Sequence, residues 1–180
     1  MKTGSKLARL IFALLVILLA LGTPAAASTA VETTLTVWPT GSTACESGQI
    51  AVRVENVTDL YAYDVYLEFT PGIINVTNVE NGDFLEIGFE VPGPIDNTAG
   101  TLSYGLTQMN PQTPKTGSGN LIIVHFTVVQ QNQSVNFQIN AETDLVHAGD
   151  NAEIAYTTVN GTLNTSCLPQ HMVFLPLIRR

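Results

Sequence analysis

The sequence predicts an all-β protein, a sandwich of nine short strands. Apolar and polar residues alternate with period two in segment after segment, and clusters of Gly, Pro and Asn interrupt them about every eight to twelve residues. No stretch reads as a long amphipathic helix, and nothing alternates with helices as a parallel sheet would require.

The first segment of the 180-residue chain is set aside from the fold. Lys2, Lys6 and Arg9 precede an uninterrupted apolar run of twelve, residues 10–21, and Ala25, Ala26 and Ala27 follow. That is the three-part pattern of a secretory signal peptide covering residues 1–27. As a helix the run would reach only about 18 Å, short of the roughly 30 Å of a bilayer core, so no membrane span is expected after cleavage.

Cleavage leaves four Lys or Arg against fifteen Asp or Glu. So acidic a surface repels phosphate backbones and anionic headgroups, which excludes nucleic acid and membranes as expected partners. The remaining length suits one core, assigned to residues 28–167, with a separate tail at 168–180.

Residues 34–38 form the first expected strand, ended by Pro39 and Gly41. Residues 49–57 form the next, with Ile50, Val52 and Val54 on one face and Ala51, Arg53 and Glu55 on the other. After a turn at Asp59-Leu60, residues 61–69 place Tyr63, Val65, Leu67 and Phe69 inward and Ala62, Asp64, Tyr66 and Glu68 outward. Pro71 presets φ for a corner in which Gly72 can take a positive φ.

Residues 74–79 are a short strand ended by Asn81-Gly82, and residues 84–94 are expected to be irregular because Pro92-Gly93-Pro94 interrupts a ladder. Residues 101–109 resume the alternation, with Leu102, Tyr104 and Leu106 against Ser103, Gly105 and Thr107. Residues 110–120 read as a surface loop. The apolar run at 121–129 reads as a central strand, followed by residues 134–139 with Val135, Phe137 and Ile139 inward, a loop at 145–151, and a last strand within 153–163.

Cys45 and Cys167 flank the expected sandwich and allow one intramolecular pairing, which export to an oxidising compartment favours. No His or acid pair stands beside them at ligand spacing, so a metal site there is not expected. The tail at 168–180 ends in an apolar stretch closed by Arg179 and Arg180, either an edge-docked terminus or a signal read by other machinery.

The residues do not support an enzyme. His125, His147 and His171 fall on a strand, in a loop and in the tail without a nucleophile beside them, and no serine sits in a G-x-S-x-G context. Asp64 and Glu68 share one strand face but stand roughly 13 Å apart, too far for paired carboxylates at a glycosidic bond. Asp144, Asp150 and Glu153 offer hard oxygen ligands for calcium in one segment but lack EF-hand spacing, so no cofactor is expected, with a calcium site in this segment as the minor alternative. Sequons at Asn56, Asn75, Asn132, Asn160 and Asn164 mark surface positions only. What remains is a binding face, with Tyr66 beside Asp64 and Glu68 as its centre.

The run AYDVYLEFTPGIINVTNVENGDF resembles the strand and corner that open a bacterial cohesin module of the cellulosome type. GTLSYGLTQM, GNLIIVHFTVV and AYTTVNGTL are similar to later strands of that family, so the likeness runs through residues 33–163. It implies a jelly-roll sandwich whose first and last strands lie side by side, which would bring Cys45 and Cys167 together. It further implies a non-catalytic, secreted or cell-surface module that recruits a dockerin-bearing protein, the calcium being carried by the dockerin, in association with extracellular polysaccharide breakdown.

In the family the third, fifth, sixth and eighth strands form the contact sheet, and an aspartate of the third falls on Asp64. The implied contact residues are Ala62, Asp64, Tyr66, Glu68, Ser103, Gly105, Thr107, Asn136 and Gln138. Ala62 replaces a family asparagine, and Ser103, Gly105 and Thr107 stand where apolar side chains are common. A carbohydrate-binding sandwich with a polysaccharide partner and a structural surface module are the alternatives. The single Trp38 argues against a flat aromatic sugar platform.

Overall fold

The structure is a computed structural model that describes residues 31–86, 88–149 and 152–167. The expected signal peptide and the tail lie outside the described residues. Among those described, no helix is long and apolar enough to cross a membrane.

Among the described residues the fold has eleven strand segments. They are β1 (Thr34–Trp38), β2 (Ser42–Ala44), β3 (Ser47–Phe69), β4 (Ile74–Asn81), β5 (Phe89–Asp96), β6 (Thr101–Thr107), β7 (Lys115–Val128), β8 (Gln133–Ile139), β9 (Asp144–His147), β10 (Thr157–Val159) and β11 (Gly161–Thr165).

β3 belongs to both layers of the sandwich. Its first half pairs with β1 and β7, and its second half with β6, β8 and β9. Asn56 and Asp59 take positive φ between the halves, where the register with β7 also slips, and the strand bends from one layer into the other. Layer one therefore runs β10-β1-β3-β7-β4, and layer two runs β5-β6-β3-β8-β11-β2 with β9 beside β3.

Both halves of β3 feed one core. Ile50, Val52 and Val54 from the first half and Tyr63, Val65, Leu67 and Phe69 from the second are buried, as the alternation requires. Leu102, Leu106, Val135 and Phe137 meet them from the second layer, Ile122, Val124 and Phe126 from the first. Leu121 and Ile122 are adjacent yet both buried, because a register shift between Val52 and Arg53 sets an extra residue of β7 there.

The expected sandwich is present, and the strand bookkeeping differs from nine for physical reasons. The two strands expected at 49–57 and 61–69 are one bent strand, since the turn at Asp59-Leu60 never leaves the ladder. The chain ends each break into two pieces, β1 with β2 and β10 with β11. Residues 89–94, expected to be irregular, form most of β5; it is an edge strand, so the missing N–H groups of Pro92 and Pro94 leave only a slip between Pro92 and Ile95. Residues 115–120 and 145–147, expected within loops, extend β7 and form most of β9. The corner at Gly72 has φ 77°, the positive value that position demands.

β1 runs parallel to β10, and β2 parallel to β11. Thr165 lies opposite Ala44, so the ladder delivers Cys45 and Cys167 to one another, and they form a disulfide with Cα atoms 4.4 Å apart.

Thr165 also anchors the last strand. Its side chain is fully buried; Oγ1 donates to the Gln130 carbonyl at 2.7 Å and accepts from the Gln133 N–H at 3.0 Å. Thr165→Val keeps the shape and strands both groups, so urea unfolding should show a loss of about 1–3 kcal/mol.

Tyr63 reaches across the core to donate to the Leu121 carbonyl at 2.6 Å. Burial, with smaller effects from Tyr104 and Glu90, holds its phenol far above the ordinary range. A raised folded-state pKa means stability that is complete below the unfolded value of about 10 and falls as pH rises beyond it. Urea midpoints should therefore be level up to about pH 9 and fall by about pH 11, with the fall reduced in Tyr63→Phe.

Candidate docking face

The outward residues of layer two form one continuous surface. Along β3 these are Ala62, Asp64, Tyr66 and Glu68, which stand between the buried Tyr63, Val65, Leu67 and Phe69. On one side β6 sets Thr107 opposite Ala62, Gly105 opposite Asp64 and Ser103 opposite Tyr66. On the other side β9 places Asp144 opposite Asp64, and β8 places Gln138 opposite Glu68 with Asn136 two residues along on the same face. Directly opposed residues share a face, so all nine residues singled out from the sequence meet on this surface.

Gly105 is itself covered. A side chain there would meet Asp64 Oδ1 at 3.4 Å, so the carboxylate lies over the glycine backbone.

Two residues missing from the sequence reading enlarge the surface. Phe89 stands opposite Thr107 and Val91 opposite Gly105, on the same face of edge strand β5. They are 59% and 53% exposed, among the most exposed large apolar side chains described. Their alternation was legible in the sequence, but the Pro-Gly-Pro run just beyond them masked it.

The turn after β8 is tied to Tyr66 by its backbone. Tyr66 N–H donates to Thr143 Oγ1 at 3.0 Å, and the Tyr66 carbonyl accepts from Thr143 Oγ1 at 3.2 Å and Asn140 N–H at 3.0 Å. Asn140 Nδ2 donates in turn to Glu68 Oε1 at 2.5 Å. These bonds carry β3 across the point where its neighbour changes from β9 to β8. Between this turn and β6 lies a groove of about 250 Å³, lined by Tyr66, Glu68, Pro94, Ser103, Asn140 and Glu142.

Electrostatically the face is acidic. The Asp64 carboxylate is the main cause holding the Tyr66 phenol above its ordinary range, with Glu142 and Asp144 adding to it. The cations Arg53 and Lys115 are engaged elsewhere, Arg53 with Glu55 at 3.5 Å and Lys115 with Glu86 at 2.5 Å.

The site has no catalytic arrangement. His125 Nε2 is 2.9 Å from Glu80 Oε1 on layer one, and His147 ends β9, where its N–H donates to the Ala152 carbonyl. Asp144 and Glu153 are not brought together with a third ligand: among the described residues no three His, Cys, Asp or Glu side chains converge on a metal position, and Asp150 lies outside them.

An acidic, strand-borne face with exposed apolar residues on a jelly-roll sandwich is the architecture of a binding module. Residues 34–165 match the cohesin domain, and the chain belongs to that family, whose modules are non-catalytic binding domains. No curated protein sequence matches the chain significantly.

Solved structures share the fold. A non-cellulosomal cohesin from the archaeon Archaeoglobus fulgidus is 20% identical with a TM-score of 0.62, covering 76% of this chain and 93% of its own. The seventh ScaB type I cohesin of Pseudobacteroides cellulosolvens is 12% identical with a TM-score of 0.62 over 83% and 97%. A type I cohesin–dockerin complex of OlpA from Clostridium thermocellum is 13% identical with a TM-score of 0.64 over 75% and 99%.

Proposed function

We propose that this chain is a secreted or cell-surface cohesin that binds a calcium-loaded dockerin through the outward face of β5, β6, β3, β9 and β8. The observation that carries the reading is the adjacency of Phe89 and Val91 to the acidic row of Asp64, Tyr66 and Glu68. Exposed apolar side chains supply the buried anchors an interface needs, and the carboxylates select the partner by charge. Membership of the cohesin family supports the dockerin as that partner, and solved relatives hold dockerins.

Ala62, Ser103, Gly105 and Thr107 act in this reading as a low floor that admits a helix close to the sheet. Asn136 and Gln138 form its polar rim. The disulfide agrees with an extracellular compartment. Recruitment of a dockerin-bearing enzyme ties the module to extracellular polysaccharide breakdown.

The test is calorimetry of the domain against purified dockerin modules encoded by the same source, with calcium and with chelator. Binding should require calcium and weaken as salt is raised, since the face is acidic and uncompensated. Binding indifferent to calcium, or absent with every such dockerin, overturns the reading.

A further inference from the structure

The outer side of layer one carries an apolar row that the docking face does not use. Trp38 stands opposite Ala51, and Ala51 opposite Ile123, so the three side chains lie abreast across β1, β3 and β7. Val159 of β10, opposite Thr36, extends the row diagonally beyond Trp38. Trp38 is 57% and Val159 46% exposed, whereas Ala51, between two larger neighbours, is only 6% exposed.

Around Ala51 the surface dips into a cleft of about 70 Å³, lined also by Trp38, Gln49, Asn120 and Ile123. Small-ligand sites hold roughly 300–1,000 Å³, so the dip is a foothold for a side chain and no pocket for a free molecule. Exposed apolar residues that are contiguous, unlike those scattered singly, mark an interaction surface.

The chain itself carries a matching cover. Residues 172–178, MVFLPLI, are apolar throughout, and Arg179 and Arg180 close the segment. It lies outside the described residues, but its tether is fixed. The disulfide holds Cys167 to Cys45 with Cα atoms 4.4 Å apart, and Cys45 precedes Ala51 by six residues, which span about 20 Å at most. Extended chain from Cys167 carries residue 172 to about 17 Å and residue 178 to about 37 Å, so the apolar segment begins at the distance where the row lies.

The width of the row fits as well. From Trp38 over Ala51 and Ile123 to Glu80, which stands opposite Ile123 on β4, there are three strand spacings, about 14 Å. About four or five extended residues cover that distance. With Phe174 on Trp38, Arg179 therefore arrives at Glu80, whose side chain is 51% exposed.

The docking face is a poorer fit for the same segment. Thr165 lies opposite Gln133 and Gln138 opposite Glu68, so the exposed Phe89 and Val91 stand about 40 Å or more from Cys167 along the ladders. Residue 178 does not reach them.

We propose that residues 172–178 of this same chain dock across the outer side of layer one, seated on Trp38, Ala51 and Ile123 and closed by Arg179 at Glu80. The tail then shields the apolar row, and the acidic face of layer two stays open to its partner.

Trp38 is the only tryptophan, so its fluorescence reports this contact alone. The chain from Ser28 to Arg180 is compared with a double variant carrying Phe174→Asp and Leu175→Asp, both beyond the described strands, with circular dichroism confirming the fold. Parent emission should lie at shorter wavelength. Its acrylamide quenching constant should be about half that of the variant or less, because a covered tryptophan loses most of its 57% exposure. Nitrogen-15 spectra of the two proteins should differ at Gln49, Ala51 and Ile123 and agree at Asp64 and Tyr66. Equal emission and quenching in parent and variant, or spectral differences at residues 64–68 in place of 49–53, overturns the proposal. So does an emission shift that grows with protein concentration, the mark of a second copy's tail.

Discussion

Asp64→Arg should abolish measurable dockerin binding, and Phe89→Ala should weaken it by about thirtyfold or more, the scale of a hot-spot residue. Both effects follow from position. Asp64 is at the centre of the face, opposite Gly105 on one side and Asp144 on the other, and its carboxylate lies against the glycine backbone with no cation beside it. A partner's cation would be the first to neutralise that row, and an arginine there would repel it in a dry contact. Phe89 offers the largest exposed apolar area on the face and has little to lose by being covered. Calorimetry on each variant checks this, with circular dichroism confirming the fold. Neither side chain is in the core, so stability should move little. An Asp64→Arg protein that binds as tightly as the parent would remove Asp64 from the interface.

Reducing the disulfide should be the costliest change to stability. Cys45 and Cys167 are 122 residues apart in sequence, so the bridge closes nearly the whole domain into one loop. The chain-entropy model gives about 4–5 kcal/mol for a loop of that size. Without it, β2 is held to β11 only by a three-residue parallel ladder, and the chain ends can fray. The double variant Cys45→Ser with Cys167→Ser should therefore unfold in urea with a midpoint far below that of the parent. Loss should begin at β2 and β11, which hydrogen exchange can localise. A difference under about 1 kcal/mol would mean that the terminal strands hold themselves.

The layered fold and the centre of the face were legible because period-two alternation is a direct consequence of strand geometry. Tyr63, Val65, Leu67 and Phe69 are buried and Asp64, Tyr66 and Glu68 are not, as residues 61–69 imply by themselves. Val135, Phe137 and Ile139 follow the same rule. Local chemistry misled where tertiary context decides. Pro92 and Pro94 argue against a strand in general, but at a sheet edge a missing N–H costs little, and β5 forms regardless. With β5 read as irregular, Phe89 and Val91 could not be placed on the face they complete. The extra residue in β7 was illegible for a related reason, since nothing in Leu121-Ile122 signals that both will turn inward until β3 is laid beside them. Trp38, Ala51 and Ile123 meet only through the pairing of β3 with β1 and β7, which residue spacing does not reveal.

The contact surface can be mapped directly by NMR on nitrogen-15-labelled domain as a calcium-loaded dockerin from the same source is added. Perturbed amides should cluster at residues 62–68, 89–91, 101–107 and 136–144, with layer one unchanged. A cluster around Trp38, Arg53 and His125 on the outer side of layer one instead would contradict the assignment of the docking face.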